Sequence, residues 1–415
     1  MLIHKVKEKD KMSETPTARN SIAAMKDEIT AYRREMHKNP GTAYEEIFAS
    51  NLVADKLTEW GIPFERGLGK TGIVATITGT QDNSGKAIGL RADMDALDIM
   101  EVNNKDHVSQ IPGKMHGCGH DGHTAIMLGV AKHLSGTRNF NGKVHLIFQP
   151  AEEGQRGAKA MMDDGLFLKY PCDSVYGLHN WPSMKRGTMA IRPGPIMAAS
   201  DRFRIYVQGR GGHAAMPDKT IDPIVIAAQI TLALQTLISR KVDPVDSAVI
   251  TITNFNGGTG ADNVIPDDTA LFGSVRTFKP ETRQMLKKKI EDVARGIAES
   301  YGANIDFQYR EVIDPTINDA EATQFCADIA KEIVGTENVQ DNVAPCMGGE
   351  DFGAMIMDRP GAYIWLGQGE EDPNSNHNQG LHSPRYDFND EIIPTGIEYF
   401  TRIIEKSMPL TRQAT

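Results

Sequence analysis

Several things are scarce in this chain, and each shortage excludes something. Aromatic residues make up 7% of its 415 residues; with 40% hydrophobic and 24% charged residues, this is a globular composition, not a disordered, fibrous or membrane one. Only four cysteines occur, Cys118, Cys172, Cys326 and Cys346. They lie too far apart for a disulfide framework, so a reducing cytosol is the expected compartment. No stretch approaches the roughly 20 apolar residues of a spanning helix. Residues 1–20 are polar and charged without the apolar core of a signal peptide, and they read as a loose tail in which Met12 is an alternative start. Positive charge is also short: 45 Lys and Arg against 55 Asp and Glu leave a net charge of −10. Such a field favours solubility and disfavours nucleic acid or an anionic membrane as partner.

What is present is concentrated. Between Met115 and Thr124 the chain reads Met-His-Gly-Cys-Gly-His-Asp-Gly-His-Thr, packing one thiol, three imidazoles and a carboxylate into ten residues. Thiolate and neutral imidazole are strong ligands for borderline divalent metals, and the intervening glycines let the backbone turn so that several side chains converge. A structural zinc module would show paired Cys-x-x-Cys or His-x-x-x-His sets. A single thiol mixed with His and Asp suits an open, catalytic site.

The length predicts two domains. Hydrophobic periodicity predicts helices at Ile22–His37 and Glu45–Trp60, strands at Gly72–Thr78 and Ala87–Ala92, a helix from His123 to Leu134, and strands at Val144–Phe148 and Ser174–Leu178. This is α/β patterning. Near Ser200 the rhythm changes to strand Arg202–Gln208, helix Asp222–Arg240, strands Ala248–Phe255 and Thr269–Thr277, helix Pro280–Tyr301 and strand Asn304–Glu311. The order βαββαβ is that of a ferredoxin-like unit. Its second helix carries Leu286, Ile290, Val293, Ile297 and Tyr301 as one apolar face, leaving Lys287 to Lys289 at a solvated edge. After Asp314-Pro315 the α/β pattern resumes with helix Asp319–Val334, strand Ala362–Leu366 and helix Asp390–Lys406. The expected organisation is a catalytic domain at 20–199 and 314–408, interrupted by an inserted unit at 200–313.

A metal site needs more ligands than one loop supplies, and α/β proteins gather function at strand ends. Strand Val144–Phe148 runs into Gln149-Pro150-Ala151-Glu152-Glu153-Gly154. Neighbouring side chains in extended chain point to opposite sides, so one glutamate can bind metal while the other faces a water molecule. That division of labour serves metal-assisted hydrolysis. His179 follows the next strand, and either His377 or His382 in Asn-His-Asn-Gln-Gly-Leu-His-Ser-Pro is a candidate ligand. Asp93 and Asp95 end another strand on one side, where either can bind metal or orient a ligating histidine. In the inserted unit, His213, Asn263 and Arg276 read on their own as an undecided histidine, a turn residue and a solvated charge.

Together, Arg-Ala-Asp-Met-Asp-Ala-Leu, His-Gly-Cys-Gly-His-Asp-Gly-His, Gln-Pro-Ala-Glu-Glu-Gly, Gly-Leu-His-Asn, Gly-Gly-His-Ala-Ala-Met-Pro and Gly-Gly-Glu-Asp-Phe resemble the di-metal amidohydrolase family of aminoacylases and carboxypeptidases. The similarity is closest to the branch of hippurate hydrolases and auxin-amino-acid conjugate hydrolases, and spans roughly Glu35 to Phe400 with the motifs in family order. The resemblance implies a peptidase-like catalytic domain with an inserted lid and dimerisation domain. It implies two divalent metal ions, manganese, zinc, cobalt or nickel, held by Cys118, His120, Glu153, His179 and His382. Glu152 would be the general base and acid, and Asp95 the aspartate that steers a ligand or the base. His213, reaching across a homodimer, would polarise the scissile carbonyl, while Asn263 and Arg276 hold the substrate's carboxylate. Two departures stand out. Other branches carry a metal-binding histidine where Asp93 stands, which leaves the role of Asp93 open, and Asp98 replaces a usual proline. Gly348-Gly349-Glu350-Asp351-Phe352 is assigned structure before chemistry. The implied activity is hydrolysis of an N-acyl or N-aroyl amino acid; a dipeptidase or exopeptidase using the same centre is the alternative, and a metal protein that only binds acyl-amino acids is the reading from another class.

Overall fold

A computed structural model describes residues 15–411. The expected start near Met12 lies outside the described residues. Helices α1 (Thr15–Lys38) and α2 (Ile47–Glu59) lead into strands β1 (Phe64–Leu68), β2 (Gly72–Thr78) and β3 (Ala87–Asp93). Helix α3 (His120–Thr137), β4 (Lys143–Gln149) and β5 (Ser174–Lys185) follow. The next stretch contains β6 (Ala199–Gln208), α4 (Pro223–Lys241), β7 (Ala248–Gly257), β8 (Asp268–Thr277), α5 (Pro280–Ser300) and β9 (Asn304–Ile313). Helix α6 (Ala320–Val334), β10 (Gly361–Gly369) and α7 (Ile393–Ser407) complete the principal elements.

The larger sheet has the order β1-β2-β4-β3-β5-β10, continued by the short strands Met189–Ala190 and Val339–Gln340. Strands β4, β3, β5 and β10 are mutually parallel, whereas β1 and β2 run antiparallel at one side. Parallel strands are buried on both faces, and the sequences obey: every residue of β10 is buried, as are six of seven in β4. One face packs on α1, α3, α6 and α7 through Ile29, Ile126, Val130, Ala327, Ile397 and Phe400. The other is covered by short helices that contribute Met161, Phe167 and Met355. Two α3 glycines let these layers close up: a Cβ on Gly122 would stand 2.2 Å from the Phe388 ring, and one on Gly129 would stand 2.2 Å from Ile397.

The segment from β6 to β9 builds its own antiparallel sheet, order β7-β8-β6-β9, with a separate core. Numbered within the unit this is 2-3-1-4, the order of a ferredoxin-like βαββαβ fold. Both helices lie on one face, where Phe203, Ile205, Ile226, Ile230, Leu234, Leu271 and Ile290 meet. Helix α4 is begun by Asp222, whose carboxylate accepts from the amides of Ile224 and Val225, with Pro223 in its first turn.

Several expectations need correction. Helix α4 is apolar and long enough, by composition, to cross a membrane, contrary to the expectation that no stretch comes close. Its Ile226, Ile230, Leu234 and Leu237 instead line the core of the small unit. In α5 the buried stripe is Arg283, Leu286, Ile290, Ala294 and Ala298; Val293 and Ile297 flank it and Tyr301 is exposed. Small alanines sit where the helix approaches the sheet, and Arg283 is inside because it clamps Asp201 with two bonds, at 2.6 and 2.9 Å. Lys287, Lys288 and Lys289 do lie at the solvated edge, paired with Glu311 and Asp292. Strand β5 runs seven residues past Leu178, because its partner β10 continues alongside as far as Gly369.

Buried His145 on β4 couples this core to pH. Its Nδ1 lies 2.9 Å from the Thr76 hydroxyl, and burial pulls its pKa down to about 4. The unfolded chain, near 6.5, binds the proton first. His145 therefore contributes stability fully above pH 6.5 and loses it as pH falls through about 4, a swing of up to about 3 kcal/mol. Urea midpoints measured at pH 7 and pH 4.5 should differ less in His145→Asn than in the parent protein; equal differences would remove His145 from the acid response.

Candidate metal centre and its cavity

The chemistry-bearing residues converge at the carboxyl ends of the parallel strands, where β4 lies on one side of β3 and β5 on the other. Gly119 makes this convergence possible. It takes φ +93° at the start of α3, and a Cβ there would stand 2.4 Å from both Asn180 Oδ1 and the Tyr386 hydroxyl. With glycine, the loop turns tightly enough to aim Cys118 and His120 at one point.

The donors form overlapping groups. Ligand atoms of Cys118, His120 and His179 lie within 4.8 Å of one another; so do those of Cys118, Glu153 and His382, and those of His120, Glu152 and Glu153. Cys118 belongs to two of these groups, with its Sγ 3.5 Å from His179 Nε2. The His382 Nε2 faces Glu153 Oε1 at 3.1 Å. Each histidine is oriented through its other nitrogen or its backbone. His120 Nδ1 meets Asp95 at 3.2 Å, His179 Nδ1 donates to the Asn180 carbonyl at 2.7 Å, and the His382 amide donates to the Gly117 carbonyl at 2.8 Å. Asp95 also accepts from the Glu153 amide at 2.9 Å, so one carboxylate positions two donors. His120 Nε2 is buried without a hydrogen-bond partner. An orphaned buried nitrogen among thiol, imidazole and carboxylate donors fits divalent transition-metal ions.

The paired glutamates do not lie as the extended-chain expectation has them. They are not in extended chain: Ala151 adopts a left-handed conformation, φ +54°, and Glu152–Gln155 forms a short helical turn broken at Glu153. The Ala151 amide is pinned by buried Glu46 at 2.9 Å. Glu152 is thereby turned inward, where its Oε1 accepts a 3.3 Å bond from the Asp351 amide. Burial, then Glu350, Glu153 and Asp351, push its pKa well above the usual carboxylate range. Burial and His123 hold His179 well below the usual imidazole range, hence neutral and able to ligate. Contacts with Cys118 and Glu153 raise His382 to about 10, the mark of a neighbourhood that attracts positive charge.

Asp93, whose role the sequence leaves open, bonds His123 Nδ1 at 2.6 Å and Arg91 at 2.8 Å. His123 uses its other nitrogen on Asn180, which fixes the ring against His179 at 4.6 Å between centroids. His377 turns to the Asp387 carbonyl, 3.1 Å away, and belongs to none of the donor groups, which leaves His382 as the candidate from that loop. Sequence reasoning missed His123, Arg91 and the reach of Glu350 and Asp351. A lone arginine between Leu90 and Ala92 in a buried strand was the available signal. Its guanidinium is fully buried and binds Asp93, Glu350, Asp351 and Gln149. Asp98 is exposed, and the turn it occupies is held by paired backbone bonds between Leu97 and Met115.

A cavity of 560 Å³ opens between the two units. The donors Cys118, Glu152, Glu153, His179 and His382 form its floor; Trp181, Met197, Val312, Ile313 and Leu381 give it apolar walls, and Arg202 and Arg276 project from the smaller unit. His213 and Asn263 do not line it. They are exposed on the small ladder that pairs Gly212–His213 with Val264–Ile265.

Residues 89–406 match Peptidase family M20/M25/M40. The chain is 41% identical over 385 residues to a hippurate hydrolase of Campylobacter jejuni, covering 93% of this chain and 98% of that one. It is 38% identical to an IAA-amino acid hydrolase, ILR1-like 4, of Arabidopsis thaliana, over 89% of this chain and 83% of that one. Among solved structures it superposes on the Bacillus subtilis YXEP protein, a dinuclear metal-binding peptidase from the M20 family, with a TM-score of 0.79 at 31% identity, covering 93% and 99% of the two chains. This chain therefore belongs to peptidase family M20/M25/M40, and its donor groups are those of a centre for two divalent metal ions.

If Cys118 serves both groups, removing its sulfur should disturb both positions together. Cys118→Ala is expected to bind fewer than half the parent's metal equivalents by elemental analysis after dialysis, with its circular dichroism unchanged. Full stoichiometry would strike Cys118 from the ligands.

Proposed function

We propose that this protein is a metal-dependent amidohydrolase that cleaves the amide bond of N-acyl or N-aroyl amino acids to a carboxylic acid and a free amino acid. The observation that carries this reading is the buried Glu152 beside two donor groups that share Cys118, at the floor of a cavity with apolar walls and arginines. Hippurate is an N-aroyl amino acid, and the relatives named for hippurate and IAA-amino acids align over nearly the whole chain.

Cys118, His120, Glu153, His179 and His382 hold the metal pair, for which manganese, zinc, cobalt and nickel all suit the mixed donors. Bound there, divalent cations supply Lewis acidity, polarising a carbonyl and acidifying water. Glu152 takes the proton from the attacking water as its oxygen bonds to the carbonyl carbon. It then delivers that proton to the departing amine nitrogen as the C–N bond breaks. Asp95 keeps His120 and the Glu153 backbone in register. Arg276 holds the substrate's carboxylate through its planar fork. His213 and Asn263 act in the cavity of a second copy, His213 on the developing oxyanion. That assignment makes the protein a homodimer, with residues 200–313 as lid and dimerisation domain. Four free thiols suit a reducing cytosol.

Glu152→Gln is expected to keep its metal and lose about 10²-fold or more in kcat; near-parental turnover would remove Glu152 as proton carrier. The substrate reading is tested with metal-reconstituted protein on N-acetyl, N-benzoyl and N-indoleacetyl amino acids and on free dipeptides. Release of amino acid from the acylated series is the expected result. Cleavage confined to dipeptides would establish the peptidase alternative.

A further inference from the structure

The smaller unit covers only one face of its sheet with helices, and the other face carries an unusual set of charges. Along β6, Ser200, Arg202, Arg204 and Tyr206 alternate with the buried Asp201, Phe203, Ile205 and Val207. Directly opposite residues in an antiparallel pair share a face. Arg310 on β9 stands opposite Arg202, and Arg276 on β8 stands opposite Ser200. Arg202, Arg204, Arg276 and Arg310 therefore form one contiguous cationic patch, in a chain whose net charge is −10.

None of these arginines has an acidic partner within ion-pair distance among the described residues, although the chain commonly pairs its arginines elsewhere, as at Arg19, Arg33, Arg91, Arg283 and Arg402. Asp201, beside Arg202 in the chain, points to the opposite face and is used by Arg283 and Tyr309, while Asp306, opposite Tyr206 on the arginines' own face, accepts from Gln308 at 2.9 Å. Arg204 lies over the Phe272 ring at 5.0 Å. Arg202 and Arg276 both reach into the cavity. The Arg202 Nη2 comes within 3.7 Å of the Cβ position on Gly154, the residue after Glu153, and the Arg276 Nη1 within 3.3 Å of that on Gly349, next to Glu350. Two like charges thus flank the metal donors. Burial and then Arg202 lower the pKa of Arg276, which registers their proximity.

A single carboxylate is satisfied by one guanidinium fork. A monocarboxylic N-acyl amino acid held by Arg276 would leave Arg202, which lines the same cavity and makes no ion pair among the described residues, without a carboxylate of its own. We infer that Arg202 is a specificity-determining residue that binds a second carboxylate, so that the preferred substrates are N-acyl derivatives of dicarboxylic amino acids, the apolar walls receiving the acyl group. Arg310 and Arg204 extend the positive field outward and steer the dianion inward. This rests on the amidohydrolase reading and adds to it the side chain of the amino acid released.

The test compares N-benzoyl-glutamate with N-benzoyl-glutamine, which differ in charge and hardly in shape. In the parent holoenzyme kcat/KM for the glutamate compound should exceed that for the glutamine compound by about tenfold or more. In Arg202→Gln the ratio should fall to near one, and Arg202→Lys, which keeps the charge without the fork, should lie between. Calorimetric binding of the same two compounds to metal-loaded Glu152→Gln protein, with and without Arg202→Gln, gives the ratio without turnover. A parental ratio near one, or a ratio that survives Arg202→Gln, overturns the inference. Failure to cleave any acylated amino acid would overturn the amidohydrolase reading, and the calorimetric ratio would then decide the role of Arg202 separately.

Discussion

The structure depends on a buried cation, Arg91, that makes a dense group of carboxylates tolerable. Asp93, Glu350 and Asp351 are all buried at the carboxyl ends of the strands, and a buried charge without a partner costs several kcal/mol, on the order of what whole domains can spare. Arg91 reaches three of these acids and Gln149 with a single planar fork, while the Tyr363 hydroxyl donates to Glu350. Lysine has neither the fork nor the five donors, so the position is specific to arginine. With that set balanced, Glu152 can sit beside Glu350 and Asp351 and feel their charge, which is the environment that lifts a carboxylate's proton affinity toward that of a useful acid and base.

The same economy of positioning recurs around the donors. Glu46, at the start of α2, accepts from the Ala151 amide and so sets where Glu152 begins; Asp95 fixes both His120 and the Glu153 backbone. Asn180 lies between His123 and the hydroxyl of Tyr386, so that β5, α3 and the C-terminal loop are tied at one residue. None of these groups needs to touch a substrate. They confine donors that come from four separate segments of chain, and a site distributed in this way is as rigid as the strands that present it.

The division into two units has a functional consequence as well. The larger unit gathers the donor groups and buried Glu152 at the strand ends of a buried parallel sheet; the smaller presents an uncovered antiparallel face bearing arginines. A cavity between them has one wall able to attract cations and another able to attract anions. His213, on the small ladder of the smaller unit, and Asn263 beside it stand away from their own chain's cavity.

Much of this was legible in the amino-acid order. Periodicity located the βαββαβ unit, because apolar spacing of two and of three to four is imposed locally by strand and helix geometry. The run from His116 to His123 announced metal chemistry, because thiol, imidazole and glycine at that density have few other uses. Resemblance of motifs pointed to Cys118, His120, Glu153, His179 and His382, whose donor atoms the fold gathers into the candidate groups. Other features were decided only by tertiary structure. The inward turn of Glu152 depends on a left-handed Ala151 held by Glu46, over a hundred residues away. The length of β5 was set by its neighbour β10, and the buried stripe of α5 by how closely that helix meets its sheet. Whether Asp93 would bind metal or a histidine, and whether Arg202 would find an acid, were questions of which groups arrive from elsewhere. A sequence fixes the chemistry of each side chain and its local periodicity; charge pairing and burial belong to distant partners, and only folding brings those together.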